Sequence, residues 1–366
     1  LSLSEAEAWA EKHSATESRA QSATFTHATV EKESAGQDGV KLSQPRAYSL
    51  ALAPHIIHAQ SNLLAVLVSS RLHNQLDFQA VGSWFILETL AEAIAKLSRV
   101  PSSREDVFRD TSFDLRAKRS VMKFLRFVQT YEEQHEVWDD DAEKPFPDFL
   151  QQKFGLPPSS HGALLALTLG SEPPQQITTA AALPKIARHF RSIGVFGPGF
   201  GAVLPKWGGL AEIAQVACRA GAVGGGVYVL KKSIRSTSTT EDGKVDLVLS
   251  DDEKISASWL IGCSDDFPSG FSQAVTSGLT RSVSIVTPAL AELFPPTSEG
   301  GVTPAGAVVA IPSSVSDEPP VHIIAHSHES GECPSSQSKS SQYSHQLRSL
   351  SMMIIRKNLS TLPDLH

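Results

Sequence analysis

Apolar positions recur along this chain with two periods, and the change from one to the other divides it. After Pro54, the residues Ile56, Ile57, Leu63, Leu64, Leu67, Val68 and Leu72 fall mainly at three- and four-residue steps, which predicts a helix with one buried face. A strand-like piece follows at 80–87. From about 103 to 196 the pattern predicts mostly helices, with two of them over 164–169 and 180–190. Within that stretch Ala117, Val121, Phe124, Val128 and Tyr131 step by four, three, four and three, so they form one core-facing stripe. At ~100° per residue, Phe127 sits about 80° from the centre of that stripe. This predicts a phenylalanine only partly covered by its own domain and open to a partner, with cover from another helix as the plain alternative. A glycine-rich loop at 194–209 precedes a helix at 213–222 and a strand-like piece at 226–231. Beyond Lys232 the period shortens to two, and short β-rich runs at 245–249, 256–261, 282–286, 308–311 and 321–325 predict a sheet-dominated half.

Residues 14–46 are rich in Ser, Thr, Ala, Glu and Gln with one aromatic, Phe25, and read as a loop that buries little. After Cys333 serine becomes frequent and 352–355 is an isolated apolar patch, which predicts a disordered tail. The organisation expected is therefore a remnant and loop over 1–47, an α/β domain over 48–102 and 197–333 interrupted by a helical domain over 103–196, and a tail over 334–366. At 366 residues the chain exceeds the usual size of one core, which suits that division. Hydrophobic residues at 41% and charged residues at 19% exclude a fibre, a coiled coil and a wholly disordered chain. A net charge of −7 argues against a nucleic-acid partner. Cys218, Cys263 and Cys333, odd in number and widely spaced, form no disulfide framework and suit a reducing, cytoplasmic setting. The apolar runs are too short to span a membrane, and no signal peptide opens the chain, which starts at Leu1.

Catalytic chemistry finds little support. Gly197-Pro-Gly-Phe-Gly201 and Gly224-Gly-Gly226 lack the strand before, helix after and acidic residue further on that a dinucleotide fingerprint needs. His322, His326 and His328 share one face of an extended strand, and with Cys333 they make a poor metal set. No G-x-S-x-G elbow occurs, and Cys218 reads as a small core thiol. The acidic run from Glu132 to Glu143 reads as a solvated loop or helix end. No cofactor or metal is expected, and no enzyme. Glu212 and Arg219 stand out: seven apart, they share nearly one face of an otherwise small, apolar helix. An exposed pair of little consequence is one reading, and a recognition surface beside glycines is the other.

Four segments in order, YSLALAPHIIHAQSNLLAVLVSSRLHNQLDFQAV (48–81), VPSSREDVF (100–108), KRSVMKFLRFVQTYEE (118–133) and PKWGGLAEIAQVACRAGAVGGGVYVL (205–230), resemble the Rab GDP-dissociation inhibitor and Rab escort superfamily. SSREDVF, MKFLRF and the last segment look closer to the escort branch, and to its fungal members. The resemblance spans about 48–333. It implies an FAD/NAD(P)-binding-like α/β domain with mixed sheets and an inserted all-helical domain, used without cofactor chemistry. It also implies partners: GDP-bound Rab GTPases, the Rab geranylgeranyl transferase heterodimer, the geranylgeranyl lipid of the bound Rab, and transient membrane contact. Carried over by position, Glu212, Arg219, Tyr228 and Val229 match the Rab-binding platform, with Val229 replacing a methionine. The loop at 197–206, with Gly197, Phe200 and Lys206, corresponds to the mobile effector loop. Phe127, with Phe124 as the more core-like neighbour, corresponds to the transferase-docking phenylalanine. The family's opening strand, glycine turn and helix, and its platform tyrosine, are not matched here, which implies a chain lacking its βαβ start, and the Ser-rich stretch after Cys333 does not resemble the family's continuation, which implies a truncated or mis-spliced product. A GDP-dissociation inhibitor is the near alternative, and a flavin-dependent oxidoreductase on the same fold the distant one.

Overall fold

The computed structural model describes residues 2–14, 25–32, 42–89, 95–101, 114–262, 278–287, 289–312 and 319–344, positions 106 and 267, and the strand backbones at 351–354 and 356–357. Most of the SSREDVF segment, Cys263 and parts of the 14–46 stretch lie outside these residues.

The long strand β3 (Phe78–Thr89) organises a nine-stranded mixed sheet. On one side it pairs in parallel with β10 (Gly306–Ile311), whose GAVVAI sequence is buried through its first five residues. Such a continuous apolar run suits a strand covered on both faces. β10 continues antiparallel into β11 (Val321–His326), β12 (Ser338–Ser344) and β9 (Thr280–Thr287), with β14 (Arg356–Lys357) at the edge. On its other side β3 pairs with β5 (Ala202–Pro205), which carries β2 (Ile57–His58), and its far end forms a hairpin with β4 (Ala95–Arg99). A separate antiparallel sheet joins β6 (Ile234–Thr239), β7 (Val245–Leu249) and β8 (Lys254–Ala257). β1 (Thr29–Lys32) pairs in parallel with β13 (Ser351–Ile354).

The helical domain follows from its caps and stripes. Asp114 accepts a hydrogen bond from Ala117 N at 2.6 Å and starts the Leu115–Gln129 helix. The helices Phe146–Phe154, Pro158–Ala166 and Thr179–Ser192 follow. Phe124, Phe127, Phe146, Phe149 and Phe154 interlock, and the same core continues through Leu183 and Ile186 to Val81, Trp84, Val308 and Ala310 of the sheet. The inserted helices and the sheet therefore share one core.

Five expectations need correction. The 56–72 run is not one helix: Ile57 and His58 pair with β5, and the helix is Asn62–Ser69. The 226–231 piece forms no strand; no neighbour pairs with it among the described residues, and its side chains are exposed. The run at 256–261 ends as a strand at Ala257, because β7 offers partners only that far. The 334–366 stretch is not wholly a tail: β12 lies between β11 and β9 as an inner strand, with Ser338, Lys339 and Ser341 buried. Serine content lowers burial on average but does not prevent a polar strand from satisfying its ladder. The 14–46 stretch likewise contains β1, with Ala28 buried before it.

Candidate functional site

Two surfaces carry unsatisfied chemistry. The first is the Leu210–Val223 helix, which buries none of its residues although most are apolar. Gly209, at φ 65°, turns the chain from β5 into it, and Leu210 and Ile213 lean partly onto Ile57 and Val203. Glu212 and Arg219 lie about 10 Å apart along the axis and about 20° apart around it. Neither has an ion-pair partner among the described residues. After the helix, Gly226 N bonds to Gly221 O at 2.8 Å and folds the chain back. Tyr228 and Val229 are then 54% and 59% exposed, with Val223, Val227 and Leu230 more open still. The Tyr228 hydroxyl stands beside Cys218, and desolvation followed by the thiol's charge raises its pKa. Cys218 is exposed, not the core thiol its alanine-rich setting predicts, because the whole helix lacks cover. The structure thus leaves Glu212 and Arg219 along one face of an uncovered apolar helix, and exposes Tyr228 and Val229 just beyond its end, with Tyr228 against Cys218 and Gly221 on the side of the helix away from that pair.

The predicted loop at 197–206 divides. Phe200 is buried against Ile57, Ala80 and Val203, and residues 202–205 are β5, buried throughout, because both β2 and β3 claim them as a partner. Only the turns around Gly197 remain loop-like, with Phe196 stacked on Phe200 at 6.2 Å between centroids. Lys206 is half-buried and lies 4.8 Å from the Trp207 ring centroid.

The second surface is a groove of about 1010 Å³ on the helical domain. Met122, Phe127, Val137 and Phe154 floor it, and Lys118, Arg119, Lys123, Arg126 and Lys153 rim it. Phe127 is 5% exposed, so the partly open ring expected from its angle is corrected: Phe149 and Phe154 cover it, at 6.0 and 5.2 Å between centroids. Phe124 is fully buried. The groove nonetheless reaches the edge of the Phe127 ring, and its cations are what residue-by-residue reading missed; Arg119, Lys123 and Arg126 recur at helical spacing on the face opposite the core stripe. A cavity with room for about one water lies nearby between Val121, Leu125, Leu164, Leu167 and Phe190.

The remaining candidates disperse. His322 Nε2 lies 2.8 Å from Gly170 O, His326 faces Glu332 at 2.6 Å, and His328 sits outside β11 near Glu329. No group of three metal-ligating side chains gathers among the described residues. In the acidic run Asp141 is buried, and hydrogen bonds from Lys144 and Lys153 hold its carboxyl below the usual range, while Glu132 grips Arg191. No helix among the described residues is long and apolar enough to cross a membrane.

A family model described as GDI, GDP dissociation inhibitor, matches residues 11–299. A Saccharomyces cerevisiae protein named Rab proteins geranylgeranyltransferase component A is 34% identical over 195 residues, covering 53% of this chain and 31% of that protein. Rab escort protein 1 of Arabidopsis thaliana is 28% identical over 207 residues, covering 52% and 36%. The chain therefore spans about a third of the length of these curated relatives. A crystal structure of Rab GDI from Plasmodium falciparum superposes with a TM-score of 0.63 at 17% identity, covering 83% of this chain and 69% of that one.

Proposed function

The chain belongs to the GDP dissociation inhibitor family, and from that premise we propose that it acts as a Rab escort protein, a cytoplasmic accessory component without chemistry of its own. It binds newly made, GDP-bound Rab and presents it to Rab geranylgeranyl transferase, then carries the prenylated product to membranes. The observation that carries this reading is the Leu210–Val223 helix, apolar and wholly without buried residues, with Glu212 and Arg219 along one face and Tyr228 and Val229 exposed just beyond its end. An apolar helix stays uncovered at a cost in water, so a protein partner is its natural cover. The names of the relatives supply that partner's identity, Rab.

The basic groove over Phe127 is the surface for the transferase. Its apolar floor and cationic rim suit an acidic partner face with one apolar anchor. Escorting a C20 chain also requires cover for it, since each CH₂ left in water costs about 0.8 kcal/mol. The cavity between Val121, Leu164 and Phe190 is far too small for that chain, so lipid uptake requires these helices to part.

The test is capture of GDP-loaded Rab and, separately, of the transferase by the full chain. Arg219→Ala is expected to reduce Rab capture alone. Arg119→Glu with Arg126→Glu is expected to reduce transferase capture alone. Rab capture without any transferase capture would instead favour a recycling GDP-dissociation inhibitor.

A further inference from the structure

Trp207 stands at the end of the platform in a conformation that calls for an explanation. It lies two residues past the end of β5, at φ 74°, the left-handed region, where a bulky residue is strained by about 1–2 kcal/mol. Its backbone N–H donates to Ser330 O at 2.8 Å. Its ring lies on Gly331: a Cβ at that position would come within 2.5 Å of ring carbon Cε3. Lys206 Nζ lies 4.8 Å from the ring centroid. Held in this way, the side chain still leaves 51% of itself exposed.

The support beneath the ring is unusually firm. Gly331 closes a turn in which its own N–H donates to His328 O at 2.9 Å and Ser330 Oγ donates to Ser327 O at 2.8 Å. The two ends of that turn are clasped by buried charge. His326, just before it, lies 2.6 Å from Glu332, just after it, and Lys339 Nζ of β12 meets the other Glu332 oxygen at 2.5 Å. None of the three side chains is more than 4% exposed. The ring sits directly against Gly331, and the turn that holds Gly331 is bracketed by His326 and Glu332.

A strained, pinned, half-open tryptophan has already lost the side-chain freedom that binding would otherwise remove, and rigid aromatics of this kind dominate protein interfaces. Trp207 also adjoins the platform, two residues before Gly209, with a Cβ at Gly208 falling 3.0 Å from Glu212 Oε1. We propose that Trp207 is a contact residue for the Rab partner, its open ring surface receiving an apolar side chain of that protein, and that Gly331 and the His326–Glu332 clasp position the ring. The inference rests on the Rab-binding reading above and extends its platform across the β5 end.

The test is titration of GDP-loaded Rab against the full chain and its Trp207→Ala, Trp207→Phe, Gly331→Ala and Arg219→Ala variants, with thermal unfolding of each. Trp207→Ala is expected to weaken binding at least tenfold, Trp207→Phe by less, and Gly331→Ala by several-fold through the displaced ring. A second readout is independent of stability: Rab should shift a component of tryptophan emission that Trp207→Phe abolishes. Binding by Trp207→Ala within twofold of wild type, with Arg219→Ala weakened, overturns the contact and leaves the platform standing. No emission change at Trp207 on saturation with Rab also overturns it. If neither Arg219→Ala nor Trp207→Ala weakens binding, or if the wild-type chain binds no Rab, the platform falls and this inference with it.

Discussion

Phe127 and Phe154 face each other at 5.2 Å between ring centroids, and together they form both the inner wall of the aromatic core and the floor of the basic groove. One side chain therefore serves folding and, in the proposed function, docking. Phe127→Ala is expected to destabilise the chain by about 3–5 kcal/mol, the range for removing a buried phenylalanine. Loss of transferase capture by that variant alone says little about the interface. Arg119→Glu with Arg126→Glu changes only exposed groups, so stability should stay within about 1 kcal/mol while capture falls. Denaturant titration beside the capture assay separates the two effects.

Glu332 carries the clearest buried charge. Burial alone would push its carboxyl pKa upward, but His326 and Lys339, both set against it, outweigh burial and hold it at about 2, against 4.5 for the free group. A depressed carboxylate contributes stability that is present above the unfolded value and lost as pH falls. The melting temperature should therefore drop as pH is lowered from about 4.5 toward 2. Glu332→Gln leaves Lys339 buried beside a neutral amide, and should cost about 3–5 kcal/mol at neutral pH with a flatter acid limb. A variant that melts like wild type would show that water reaches the cluster.

The periodic elements were legible because burial and period agree in them. Ala117, Val121, Phe124 and Val128 needed only their spacing to be placed in the core, and Val308 and Ala310 only their apolar run. Phe127 was misjudged because an angle on one helix does not register a second helix; Phe149 and Phe154 arrive from residues 146–154 and close over it. β12 was missed because its stabilising groups are a buried lysine and serines, and their partners, Glu332 and the ladders of β9 and β11, lie elsewhere in the chain. The spacing of Glu212 and Arg219 is enough to place them on nearly one helix face. Trp207 was passed over because neither its positive φ nor its seat on Gly331 leaves a mark on composition.

His58 and His189 lie together against Trp84 where β2 meets the Thr179–Ser192 helix, with imidazole centroids 5.9 Å apart. Desolvation, with Arg188 acting on the first and His58 on the second, lowers their pKa values to about 4 and about 3. Both are neutral in the folded state down to those values, whereas the unfolded chain takes up protons near pH 6.5. Below that pH the unfolded state binds more protons, so stability falls as pH drops toward 4, by up to about 1.4 kcal/mol per pH unit for each histidine. His189→Phe should remove part of this slope between pH 6.5 and 4. An unchanged slope would locate the titration elsewhere.

Gly221 offers a way to disturb the platform without weakening the fold. A Cβ there would fall 2.4 Å from the Tyr228 hydroxyl, the far end of a side chain that is half exposed and free to swing. Replacing a helical glycine that is not fully buried by alanine favours the helix by about 1 kcal/mol. Gly221→Ala is therefore expected to keep or slightly raise thermal stability while pushing Tyr228 out of the position it shares with Cys218. If Tyr228 is part of the surface that meets Rab, affinity for GDP-loaded Rab should fall several-fold in a variant that is no less stable. Unchanged affinity would remove Tyr228 from the contact and narrow the platform to the helix and Val229. Lost stability with lost affinity would show that the tyrosine supports the helix end and is not a contact.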